Sequence, residues 1–192
     1  MNALAYRYLF PALWLGWALC WWVLSKKVKA TVRHESVTSR LLHVLPLVAA
    51  LLLLWVDEAP GRFLNLRLLP WAPWEFWVAA SITAAGFGFA VWARLHIGRN
   101  WSGTVTLKEN HELITTGPYA IVRHPIYTGL LVAVVGSALA RDEWRGVVAV
   151  LVTWLALWRK LRLEEAWMLE LFGEQYAAYR RRVPALVPFS RP

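Results

Sequence analysis

The chain has 192 residues, is 58% hydrophobic, contains 14 tryptophans and carries a formal net charge of +9. That length leaves no room for a second large domain, and apolar residues gathered in long uncharged runs exclude an ordinary soluble domain. The charge does not point to nucleic acid, because the basic residues flank the apolar runs instead of forming one polar face; the lone Cys20 supports neither a disulfide framework nor a thiolate metal site.

Only Arg7 precedes the first apolar run, residues 8–24, and no small-residue cleavage site follows it before the basic pair at 26–27, so it reads as a retained span. A second run covers 41–56, a third 76–92 with Gly86 and Gly88 as small residues suited to close helix packing, and two more cover 126–140 and 146–158. Only RDEWR separates the last two, which forces an antiparallel helical hairpin. The expected fold is therefore all-α: an integral membrane bundle of about five transmembrane helices, with a helical hairpin and a cytosolic C-terminal helix. Placing the loop at 25–40 inside puts 16 of the 21 basic residues on that side, so the C-terminus is expected to be cytoplasmic, in a plasma membrane of bacterial or archaeal type. Trp21 and Trp22 would mark one boundary, and Trp55, Trp71, Trp74, Trp77 and Trp144 the other.

Two polar stretches carry the candidate chemistry. In HELITTGPYAIVRHPIYTG, Gly117 and Pro118 favour a turn, and Pro125 pushes His124 toward extended backbone while suiting the first turn of a helix. His124 then stands at a helix N-terminus, where free N–H groups and the positive dipole end attract anions, with Tyr119 and Tyr127 close by. In the C-terminal segment, Trp158, Leu161, Met168, Phe172, Tyr176, Tyr179 and Val183 form one helical stripe with Glu165 filling its gap. A carboxylate there needs a partner. Local pairs of Arg162 with Glu165 and Lys160 with Glu164 are the simplest candidates. Gly173 should interrupt the helix and Pro184 end it. No tight ligand spacing links His111, His124, Glu164 and Glu165, so no metal is expected.

GPYAIVRHPIYTG, the preceding HELITT and the later EE followed by FGEQYAAYRRRVPALVPF resemble the isoprenylcysteine carboxyl methyltransferase family and its phospholipid methyltransferase relatives, in the right order over about residues 98–189. The resemblance implies an N-terminal division of three helices, 1–97, followed by a methyltransferase core, 98–192. It also implies methyl transfer from S-adenosylmethionine, held in a cytosol-facing pocket, to a lipid-like or isoprenoid acceptor arriving from the bilayer. By the same resemblance His111, Glu112, Leu113, Ile114, Tyr119, His124, Pro125, Ile126, Tyr127 and Glu164 match cofactor-contacting positions. Four residues before that glutamate the eukaryotic members carry an arginine linked to the acceptor carboxylate; here the position is Lys160, and Arg162 is a possible substitute for it.

The cofactor's sulfonium, ammonium and carboxylate require partners of both signs, and in-line transfer depends on alignment and exclusion of water. A carboxylate or thiolate acceptor needs only a positive group to hold it. An amine acceptor needs a base, for which Glu165 or Tyr127 would be the candidates. Two other readings stand beside this one: a membrane reductase using a nicotinamide cofactor, for which no extra basic cluster is present, and a non-catalytic scaffold whose basic loops bind anionic head groups.

Overall fold

The structure is a computed structural model that describes residues 2–26, 31–56, 61–69, 72–101, 106–108 and 112–190. His111 and Trp71, both named from the sequence, lie outside the described residues. Three helices, α1 (Asn2–Ser25), α2 (Val37–Trp55) and α3 (Pro73–Ile97), the last extended by a 3-10 turn at Gly98–Asn100, supply the stretches Tyr8–Ser25, Val37–Trp55 and Trp74–Asn100, each long and apolar enough to cross a bilayer. The hairpin follows as α4 (Pro125–Arg141), a shorter apolar helix of 17 residues, and α5 (Trp144–Phe172), with 29. A last helix, α6 (Glu174–Arg182), completes the bundle.

One boundary differs from the sequence reading. The fifth apolar run and the C-terminal helix, divided at Trp158 in that reading, are one continuous α5, because neither Gly nor Pro interrupts residues 147–172. The break comes at Gly173, whose φ of +50° is costly for any side chain and which ends α5 and opens α6. At 1.5 Å per residue α5 is about 43 Å long, so it outruns a hydrocarbon layer of about 30 Å. The chain after Trp158, with its two glutamates, therefore projects beyond the apolar layer.

The tightest packing joins α3 to α4. A Cβ added at Gly86 would stand 2.5 Å from the Gly129 carbonyl oxygen, and one added at Gly129 would stand 2.5 Å from that of Gly86. The two backbones meet through paired glycines, as small-residue packing in lipid requires. Gly88, the other glycine of α3, faces open space. α1 packs on α3 through Phe10 and Phe76, and its Trp14 indole N–H donates to Ser137 Oγ on α4 at 3.1 Å. A feature without a sequence signal is a small antiparallel ribbon of β1 (Thr31–His34) and β2 (Thr106–Lys108), which ties the α1–α2 connection to the segment leading into the site.

The hairpin turn is closed by ion pairs. Asp142, in the left-handed region, caps α4 and accepts from Arg67 Nε and Nη2 at 2.9 and 2.6 Å and from the Leu69 N–H at 3.0 Å. Arg145, fully buried, pairs with Glu143 and donates to the Val56 carbonyl.

Candidate active site

At the opposite end of the bundle, proline chemistry organises the site. Pro118 opens a 3-10 turn at Gly117–Ala120, and Pro125 occupies the first position of α4 with His124 as its N-cap. The turn between them is held by the chain that follows α6. The Arg123 and His124 N–H groups donate to the Pro184 and Ala185 carbonyls at 2.8 and 3.0 Å, Thr128 Oγ1 donates to the Leu186 carbonyl at 2.7 Å, and the Arg123 guanidinium donates to the Arg180 and Val183 carbonyls. Tyr179 adds a bond of 2.6 Å from its hydroxyl to the Tyr119 carbonyl. The C-terminal tail is thus a strap across the histidine-proline turn.

Charge pairing fixes the turn against α5. Arg123 Nε and Nη2 stand 2.8 and 2.7 Å from Glu165 Oε1, and His124 Nε2 lies 3.2 Å from the same oxygen. His124 Nδ1 is 3.6 Å from Glu164 Oε2, and the Tyr127 hydroxyl donates to Glu164 Oε1. The His124 and Tyr127 rings stack with centroids 5.5 Å apart at 2°, and the Lys160 ammonium lies 5.1 Å from the Tyr127 ring centroid. Burial alone would push the Glu165 carboxyl up, but the His124 and Arg123 contacts outweigh it and hold the carboxyl down at about 2. The same competition lowers Glu164, where His124 is the leading partner, and raises His124, where the two glutamates overcome burial. Burial pushes the Tyr119, Tyr176 and Tyr179 hydroxyls up, so they stay protonated.

Of these groups Arg123, His124, Tyr127, Glu164, Tyr119, Tyr176 and Tyr179 border a cavity of about 260 Å³. Of the residues named from the sequence, Glu112, Leu113, Ile114, Tyr119, His124, Ile126, Tyr127, Lys160 and Glu164 line it together. Pro125 does not line it; it is buried at the start of α4, where it shapes the turn. Arg162 and Glu165 are not brought to this cavity; they border a separate groove on the other side of α5. The reason is helical geometry: Lys160 and Glu164 are four apart and share one face, Arg162 and Glu165 are three apart and share another.

Sequence reasoning missed one wall. Trp21 of α1, read as a boundary anchor, lines the cavity together with Trp17, Trp101, Leu47 and Asn100. Trp17 stacks on Trp21 at 4.9 Å, and Trp21 meets the edge of Trp101 at 5.4 Å. The available signal was the spacing of Trp14, Trp17 and Trp21 along one helical face, which interfacial anchoring explains equally well. Arg123, in the turn before His124, is the cation nearest Glu165.

Donors of both signs therefore meet at the cavity. Two polar atoms on its wall, Asn100 Oδ1 and Trp17 Nε1, are buried without a hydrogen-bond partner among the described residues, a state that costs about 1–3 kcal/mol each until a partner is supplied.

Comparison with known proteins places this arrangement. Residues 74–175 match the phospholipid methyltransferase family. The chain is 34% identical over 95 residues to protein-S-isoprenylcysteine O-methyltransferase B of Arabidopsis thaliana, covering 48% of each. It is 34% identical over 102 residues to the corresponding protein of Schizosaccharomyces pombe, covering 50% of this chain and 42% of that one. It is also 36% identical over 95 residues to the cobalt-zinc-cadmium resistance protein CzcN of Cupriavidus metallidurans, covering 48% and 43%. The chain spans about half the length of these curated relatives. The solved structure of the eukaryotic intramembrane Ras methyltransferase, an isoprenylcysteine carboxyl methyltransferase, superposes with a TM-score of 0.57 at 23% identity, covering 82% of this chain and 55% of that one, which establishes a shared membrane fold.

Proposed function

The chain belongs to the phospholipid methyltransferase family, and from that membership and the cavity's geometry we propose that it transfers a methyl group from S-adenosylmethionine to an anionic, lipid-like or isoprenoid acceptor. The observation that carries this reading is the division of labour along α5: Lys160 and Glu164 face the cavity, while Glu165 is bound by Arg123 and His124 on the other side.

The donor set fits the cofactor. Glu164 and the face of the Tyr127 ring suit a sulfonium and an ammonium, and the cavity's other rings and apolar side chains suit an adenine. The unpartnered Asn100 Oδ1 is an acceptor waiting for an N–H donor, which both the ammonium and an adenine amino group provide. When bound, the cofactor supplies an electrophilic methyl group on a positive sulfur. Glu112, Leu113, Ile114, Tyr119, Ile126 and, from the resemblance, His111 complete the proposed binding set.

The chain's own groups favour an acceptor that needs no base. Glu165 is committed to its ion pairs and Glu164 already accepts from Tyr127, so neither is free to take a proton from an amine. Lys160 supplies a positive charge to the cavity and would hold an acceptor carboxylate. Trp17, Trp21 and Trp101 shield the site from water and offer apolar surface to a lipid tail. Glu165 would act as a positioning residue for Arg123 and His124. The excess of basic residues at this end supports a cytoplasmic orientation. Family membership favours methyl transfer over a nicotinamide reductase or a scaffold.

The test offers the purified protein methyl-labelled S-adenosylmethionine with, in parallel, a prenylated cysteine bearing a free carboxylate, phosphatidylethanolamine and a small alkyl thiol. Label should enter the carboxylate as an ester, and Lys160→Ala should raise KM for that acceptor more than it lowers kcat. Transfer to the amine alone would overturn the acceptor assignment.

A further inference from the structure

The groove that receives Arg162 and Glu165 lies outside the proposed methyl-transfer chamber and has its own chemistry. It encloses about 870 Å³ between α5, α6 and the C-terminal tail. Among the described residues four guanidinium groups border it, those of Arg123, Arg162, Arg180 and Arg181, against the one carboxylate of Glu165. That carboxylate is satisfied from within: Arg123 binds it closely, His124 shares it, and Arg180 Nε stands 3.8 Å away. Arg181 reaches the exposed Glu174, at 3.4 Å. The groove therefore presents surplus positive charge.

Its lower wall is apolar and faces outward. Trp154 and Trp158 line it and stack with centroids 5.9 Å apart, on a face of α5 that also exposes Leu151 and Leu155. Val187 on the tail is 60% exposed, and Phe189 beside the groove is 99% exposed, a state without gain for a phenyl ring facing water. Position along the helix explains both halves. Measured from Trp144 at the hairpin turn, Arg162 lies about 27 Å up α5, close to the edge of a hydrocarbon layer of about 30 Å. The tryptophans then sit within the acyl chains and the arginines at the level of the head groups.

We propose that this groove is a binding site for one anionic glycerophospholipid, whose phosphate lies among Arg162, Arg180 and Arg181 and whose acyl chains run along Trp154, Trp158 and Leu155. Guanidinium pairs match phosphate oxygens bidentately, and stacked indoles at the interface suit the glycerol and upper acyl region. The occupant holds α6 and the tail against α5 from outside, independently of the methyl-transfer reading.

Native mass spectrometry of the full chain in detergent, with phosphatidylglycerol or phosphatidylcholine added, tests this. One phosphatidylglycerol per chain should be retained with at least about tenfold preference over phosphatidylcholine. Each arginine removed should cost about fivefold, so Arg162→Ala with Arg181→Ala should reduce retention to the phosphatidylcholine level, while Lys26→Ala should leave it intact. The preference of the unsubstituted protein is a test in itself, whatever the variants do to folding. Equal retention of the two lipids would mean ordinary annular contact and overturn the proposal. So would displacement by millimolar inorganic phosphate, which would make it a free-anion site, or retention only in dimers, which would assign the groove to a second copy.

Discussion

The two ends of the bundle use the same kind of ion pair for opposite purposes. At the hairpin turn, Asp142 and Glu143 are matched by Arg67, Arg141 and Arg145, backbone groups take up remaining valences, and the cluster stops the α4–α5 turn. At the other end, Arg123, His124, Tyr127, Glu164 and Glu165 form a network whose inner members face a cavity. The first network closes the turn, and the second has inner members that line a cavity. Buried charge is costly unless paired, so a network that only ties two helices together reads as structure, and one whose members line a cavity reads as a site for a ligand.

The largest separation of the two ends should come from Arg123→Ala, which uncovers Glu165 and frees the C-terminal strap. It should destabilise the protein by about 3–5 kcal/mol, read as a lower denaturation midpoint in detergent, and weaken S-adenosylmethionine binding as well. Asp142→Ala should cost about 1.5–3 kcal/mol by the same measurement and leave cofactor affinity of the folded fraction unchanged. Glu164→Gln should do the reverse, lowering affinity about tenfold to a hundredfold, the equivalent of a lost charged hydrogen bond, with little change in midpoint. If the two variants have the same profile, the distinction between the ends fails.

Acidity sharpens the comparison further. Glu165, held at about 2 against an ordinary 4.5, contributes stability that is complete above pH 4.5 and is lost as pH falls toward 2. His124, raised above 6.5, contributes stability that is complete below pH 6.5 and is lost as pH rises through its raised value. Thermal midpoints should therefore fall on both sides of this window, and His124→Asn should flatten the alkaline side. The smallest effect expected is from Tyr179→Phe, which removes one bond of the strap to the Tyr119 carbonyl and should cost about 1 kcal/mol.

Hydropathy made the first three spans and the hairpin legible, because a bilayer imposes length and apolarity on each helix separately. The histidine-proline turn was legible for a similar reason, since Pro118 and Pro125 fix local backbone whatever surrounds them. What lies across from a residue is not written locally. Glu164 and Glu165 are neighbours in sequence, yet one faces the cavity and the other the groove, and only the packing of α6 and the tail decides which is which. Arg162 is the clearest instance: its place two residues after Lys160 suggested a substitute for the acceptor-binding arginine, and the turn of α5 carries it to the opposite side. The tryptophans of α1 were ambiguous because membrane anchoring and a cavity wall require the same large amphipathic ring. The ribbon of β1 and β2 joins strands of four and three residues from distant parts of the chain, too short to carry a pattern of their own.

Hydrogen exchange with and without S-adenosylhomocysteine, the demethylated product, tests the central claim most directly. The account predicts slower exchange in residues 98–101 and 112–124, which border the cavity, and unchanged exchange in residues 61–69 and 142–146 at the hairpin turn. Protection at the hairpin turn instead, or no protection anywhere in a folded protein at saturating product, would contradict it.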